Sequence, residues 1–107
     1  MSFQTISPLE LQQKLQSGEE FQFIDVREAQ EYEWAKIPSA ELLPLSRFSE
    51  WHDKLNPAAS IVVMCHHGVR SAQVCAFLTR QGFEKVWNLS GGIDAWSVEV
   101  DHEVPRY

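Results

Sequence analysis

The sequence is poor in cysteine: Cys65 and Cys75, ten positions apart, are the only two in 107 residues. That number and spacing make neither a disulfide framework nor a zinc-ligand pattern. Long apolar runs are missing as well. No stretch approaches the roughly 20 residues that a membrane helix needs. Met1-Ser2-Phe3-Gln4-Thr5-Ile6 has neither the basic start nor the apolar run of a secretory signal, so the cytoplasm is the expected location. Basic residues are outnumbered, nine against fifteen acidic, and the net charge of −6 argues against nucleic acid, whose recognition needs a basic face. The acidity is spread along the chain and reads as a solubility feature. Repeats, linkers and low-complexity tracts are absent. The expectation is one domain, 1–107, with room for one core.

What is present is a chain of short apolar runs alternating with helical patterns. Gln4-Thr5-Ile6 reads as a first strand. Ser7 then caps a helix, with Pro8 at its first position, Glu10 closing a capping box, and Ile6 and Leu11 placed as a staple across the cap. Gly18 ends that helix. Phe21 to Arg27 reads as a second strand, apolar and then abruptly charged, and Glu28 to Trp34 as a short helix. Ala40 to Leu43 reads as a brief third strand. Ser46 is expected to cap a helix that turns Phe48, Trp51 and Leu55 inward. The last strand spans Lys85 to Leu89, and a final helix anchored by Ile93 and Trp96 follows Gly91-Gly92. The implied fold is a small α/β domain around a mostly parallel sheet of about five strands, with helices on both faces.

The chain is organised around Ile61-Val62-Val63-Met64-Cys65-His66-His67-Gly68-Val69-Arg70-Ser71. Its apolar start reads as a buried strand, and a helix is expected over Ser71 to Gln81. A cysteine between the two sits where backbone N–H groups converge. Those donors, the helix dipole and the charge of Arg70 all favour thiolate over thiol.

Three separated motifs then match one family. Asp25-Val26-Arg27 with Glu31-Tyr32, Ile37-Pro38-Ser39-Ala40 and Pro44-Leu45 is similar to the first signature of the rhodaneses, the sulfurtransferase-fold proteins. Cys65 to Ser71 resembles their active-site loop, and Leu89-Ser90-Gly91-Gly92-Ile93-Asp94-Ala95-Trp96 their C-terminal signature. The chain resembles a single-domain rhodanese over nearly its whole length. It departs at Ala35-Lys36, where the family usually has Gly-His, and at Ser39, where it usually has Gly. Those positions shape a connection and leave the sulfur chemistry untouched.

The resemblance implies that Cys65 is catalytic, taking a sulfane sulfur as a persulfide and passing it to a nucleophilic acceptor, with no cofactor and no metal. His66, His67, Gly68, Val69, Arg70 and Ser71 would bind substrate, the backbone N–H groups holding the persulfide's charge. Against this stands the ordinary fate of a free cysteine, which is packing. Arg70 at a helix start is unfavourable toward the dipole, so an anion should stand near it. Substrate is the favoured anion, a structural carboxylate the alternative. At most one of His66 and His67 is expected to face the sulfur, and metal binding by the pair lacks a third ligand. Gly68 should adopt a positive φ. Asp25, Arg27 and Glu31 read as an ionic brace. Cys75 reads as core, with a resolving role as its alternative, and Trp34, Trp51, Trp87 and Trp96 read as packing.

The expected partners are a small-molecule sulfur donor and acceptor, with a protein acceptor also open, and neither nucleic acid nor membrane. Two rivals remain: a non-enzymatic carrier or docking module, and a phosphatase or arsenate reductase on the same fold. Phosphatases that resemble the family have a cysteine-to-arginine interval one residue longer than His66-His67-Gly68-Val69.

Overall fold

All five strands run parallel, and their order across the sheet sets where the chemistry sits. In the computed structural model, which describes residues 2–107, β1 (Gln4–Ile6) lies at one edge. β2 (Gln22–Asp25) and β3 (Glu41–Leu42) lie at the other side, and β4 (Ile61–Met64) and β5 (Val86–Leu89) fill the middle, giving the order β1-β5-β4-β2-β3. Asp25 pairs with Met64, so the carboxyl ends of β2 and β4 finish side by side. Ligand sites of open parallel sheets form at that edge.

The helices cover both faces. α1 (Pro8–Gln16) and α5 (Gly92–Glu99) pack on one, where Leu11, Phe23, Val62, Met64, Leu89, Ile93 and Trp96 form a buried cluster. α4 (Val69–Arg80) and the segment around Trp51 pack on the other, over Ile24, Ile61, Val63, Val74, Cys75 and Leu78. The two-residue alternation of β4 divides its residues between the clusters. Cys65, one residue past the strand, falls on the α4 face.

Local chemistry explains most boundaries. Ser7 and Glu10 complete the capping box of α1. β2 stops at Asp25, earlier than its apolar-to-charged run suggests, because the Arg27 N–H bonds the Asp25 carboxylate at 3.0 Å instead of a ladder partner. α2 (Ala29–Trp34) follows. The helix expected after Ser46 is broken up: a 3-10 turn over Leu45–Arg47, α3 (Phe48–Trp51) and a second 3-10 turn over His52–Lys54. Ser46 caps none of them, since its hydroxyl donates to Glu28. Among the described residues, no helix is long and apolar enough to cross a membrane.

Candidate active site

Cys65 is almost entirely buried, 1% exposed, and its sulfur faces the first turn of α4. That helix starts at Val69, two residues before the expected Ser71, because Gly68 turns the chain with φ +103° at the N-cap. The positive φ expected of Gly68 is therefore observed. The early start puts Arg70 and Ser71 inside the first turn, where N–H groups lack helical partners. Two of them reach the sulfur: Gly68 N–H at 3.1 Å and Ser71 N–H at 3.4 Å. The Ser71 hydroxyl lies 3.3 Å from Sγ. Among the described residues, these are the loop donors on the sulfur, a smaller set than the six N–H groups from His66 to Ser71.

The loop is braced from behind by β5 and α5. Asn88, buried on β5, donates from Nδ2 to the Gly68 carbonyl at 3.0 Å and accepts from the Ser71 hydroxyl at 2.5 Å. One amide side chain thus holds both ends of the turn. The first turn of α5 donates Ile93 N–H to the Cys65 carbonyl at 2.9 Å and Asp94 N–H to the His66 carbonyl at 3.2 Å. Gly92 makes that approach possible, since a Cβ there would stand 2.3 Å from the His66 oxygen.

Arg70 does not stand free for a substrate anion. Its guanidinium donates to both oxygens of Glu31, at 2.6 and 2.8 Å, so the compensating anion is the carboxylate alternative. That fork holds the Glu31 carboxyl far below its ordinary 4.5, at about 2. The expected three-residue brace divides accordingly. Arg27, fully buried, takes the Asp25 carboxylate from Nε and Nη2 and donates onward to the carbonyls of Glu31 and Ala35. The Glu31 side chain, on α2, is instead paired with Arg70 beside the loop.

Tyr107 ties the two ion pairs together. Its hydroxyl accepts from Arg27 at 3.0 Å and donates to Glu31 at 2.8 Å. Its ring lies flat on His66 at 3.9 Å and 8°, and His66 stacks in turn on His67 at 3.9 Å and 19°. Burial, aided by neighbouring His67, pushes the His66 imidazole below its ordinary 6.5. The third ligand that the histidine pair lacked on sequence grounds does exist: His66, His67 and Asp94 bring ligand-type atoms within 4.8 Å of one another. Their arrangement is that of a wall, however. The stacked rings hold their lone pairs in nearly parallel planes, and Arg106 faces both Asp94 oxygens at 2.8 and 3.1 Å. Val69 projects into solvent, 70% exposed. Cys75 is buried in the α4 face, and burial pushes its thiol up to about 12.

The model of the family described as rhodanese-like domain matches residues 7–99. The chain belongs to the rhodanese-like family. It is 43% identical over 105 residues to the Arabidopsis thaliana rhodanese-like/PpiC domain-containing protein 12, chloroplastic, covering 92% of this chain and 35% of that one. It therefore spans about a third of that longer relative. A protein of Allochromatium vinosum named sulfurtransferase is 36% identical over 87 residues, with 81% of each chain covered. The crystal structure of a rhodanese-like domain protein from Staphylococcus aureus superposes with a TM-score of 0.82 at 30% identity, over 98% of this chain and 99% of that one. Arg106 and Tyr107 lie beyond the matched residues. In sequence they sit in a tail without periodicity, and only the folded chain shows them on the rim of this rhodanese-like site. Asn88 likewise gave no signal, reading as one residue of a strand.

Proposed function

We propose that this chain works as one rhodanese-like domain in the cytoplasm, a sulfurtransferase that carries sulfur as a persulfide on Cys65. The carrying observation is the recessed sulfur at the carboxyl end of β4 with the Gly68 and Ser71 N–H groups on it. A thiolate there attacks the sulfane sulfur of a donor, and the donor's bond breaks with its electron pair on the leaving group. The same N–H groups then hold the persulfide until an acceptor nucleophile removes its outer sulfur. His66, His67 and Val69 line the approach. Arg70 orients substrate through the N–H groups that Glu31 leaves free. The sulfurtransferase name of the Allochromatium relative supports this reading, and so do two free cysteines, which suit a reducing compartment.

The test sets sulfur transfer to cyanide against hydrolysis of an aryl phosphate on one preparation. Four residues between Cys65 and Arg70 make a narrow ring. It suits one added sulfur atom and crowds a tetrahedral phosphoryl group, and a misplacement of about 1 Å costs on the order of a hundredfold in rate. Thiocyanate should form with the native protein and not with Cys65→Ser, while phosphate release stays at background. Phosphatase turnover that Cys65→Ser abolishes contradicts the reading.

A further inference from the structure

The rim of the site carries cations, and each one faces a carboxylate. Arg70 is forked on Glu31 at 2.6 and 2.8 Å and Arg106 holds both oxygens of Asp94, while Arg27 lies fully buried beneath the rim against Asp25. Tyr107 reinforces the first pair by donating to Glu31 at 2.8 Å. The rim is therefore close to neutral, on a chain whose net charge is −6. Its exposed remainder includes Val69 at 70% exposure, Trp34 at 52% against the Tyr107 ring, and Tyr107 at 37%, the end ring of the stack it forms with His66 and His67.

Donors differ in what they place on that rim. In every case the outer sulfur enters the N–H cradle. With thiosulfate, a sulfonate group stays outside and departs as the sulfite dianion. With an organic persulfide, a carbon chain lies outside and departs as a thiol. A dianion approaching a negatively charged protein is slowed unless an unpaired cation receives it, whereas a carbon chain gains from apolar surface.

Building on the persulfide reading above, we infer that the physiological donor is an organic persulfide of low charge, and that Glu31 sets this preference by holding the charge of Arg70. In the transfer, the Cys65 thiolate attacks the outer sulfur of R–S–SH. The Sγ–S bond forms, the donor S–S bond breaks, and its electron pair leaves on R–S⁻, which takes a proton from water. The new Cys65 persulfide releases its proton to water, and no oxidant or reductant is consumed.

The experiment compares loading rates of Cys65, read by rapid quench and intact mass, from 2-hydroxyethyl persulfide and from thiosulfate. The native protein should load at least about tenfold faster from the organic persulfide. Glu31→Gln, which leaves the Arg70 charge uncompensated, should raise the thiosulfate-to-persulfide rate ratio about tenfold. Val69→Lys, a change at an exposed position that puts a cation on the rim without disturbing the core, should raise it similarly. Using the ratio cancels any change in the reactivity of Cys65 itself. Equal native rates, or a ratio that either Glu31→Gln or Val69→Lys leaves unchanged, overturns the inference. Absence of loading from either donor overturns instead the persulfide reading on which it rests.

Discussion

Tyr107 shows how much a single side chain organises here. Its ring covers His66, and its hydroxyl joins Glu31 to Arg27. The two contributions separate by substitution. Tyr107→Phe keeps the ring, so His66 should continue to titrate below its ordinary 6.5. Tyr107→Leu removes the flat cover, so water reaches the imidazole, its charged form is better solvated, and its midpoint should move up. NMR titration of the histidine ring protons reads both. The sign extends to stability. Between the lowered value and 6.5 the unfolded chain binds a proton that the folded chain does not, so His66 costs stability as pH falls through that window. Tyr107→Leu should shrink this loss. A His66 midpoint that stays put in Tyr107→Leu contradicts the stacking account.

At the scale of elements, the parts local in sequence were legible and the parts made between elements were not. The capping box of α1, the buried strand β4 and the positive φ of Gly68 each follow from a few adjacent residues. The motifs around Asp25, Cys65 and Gly91 were visible as motifs. Their bonds to one another run between Arg70 and Glu31 across 39 positions, Asn88 and Gly68 across 20, and Tyr107 and Glu31 across 76. No periodicity encodes such pairings, which is why substrate was favoured over a structural carboxylate as the anion at Arg70, and why Asn88 and Tyr107 carried no signal. The segment around Phe48 departs for a local reason: the Ser46 hydroxyl is drawn to Glu28, so nothing caps a longer helix. The contact of α5 with the loop yields a test. Gly92→Ala would drive a methyl group to within 2.5 Å of the Cys65 and His66 carbonyl oxygens, and α5 must retreat. The carbonyls then lose the Ile93 and Asp94 N–H groups. The expected loss is on the order of 2–4 kcal/mol, seen as a lower denaturant midpoint together with slower sulfur loading. An unchanged midpoint would mean that α5 does not support the loop as described.

Across the whole molecule, two faces of apolar packing hold a sheet whose carboxyl edge is fastened by charge. The outer fastening is sensitive to acid. Glu31 has its carboxyl held at about 2 against an ordinary 4.5, through Arg70 and with help from Tyr107. The folded state therefore binds fewer protons than the unfolded chain in that interval. The contribution of Glu31 is fully present above about 4.5 and is lost as pH falls toward about 2. Stability measured against pH should be steeper across this window in the native protein than in Glu31→Gln, and coincident slopes contradict the clamp. All of this architecture converges on one sulfur atom and sets it apart from the second cysteine. Cys65 sits under two N–H donors at the loop, while Cys75 is sealed in the α4 face with its thiol pushed up to about 12. Intact mass after exposure to a sulfur donor distinguishes the two cysteines. The native protein and Cys75→Ser should each gain one sulfur atom, and Cys65→Ser none. Loading that persists in Cys65→Ser would contradict that distinction.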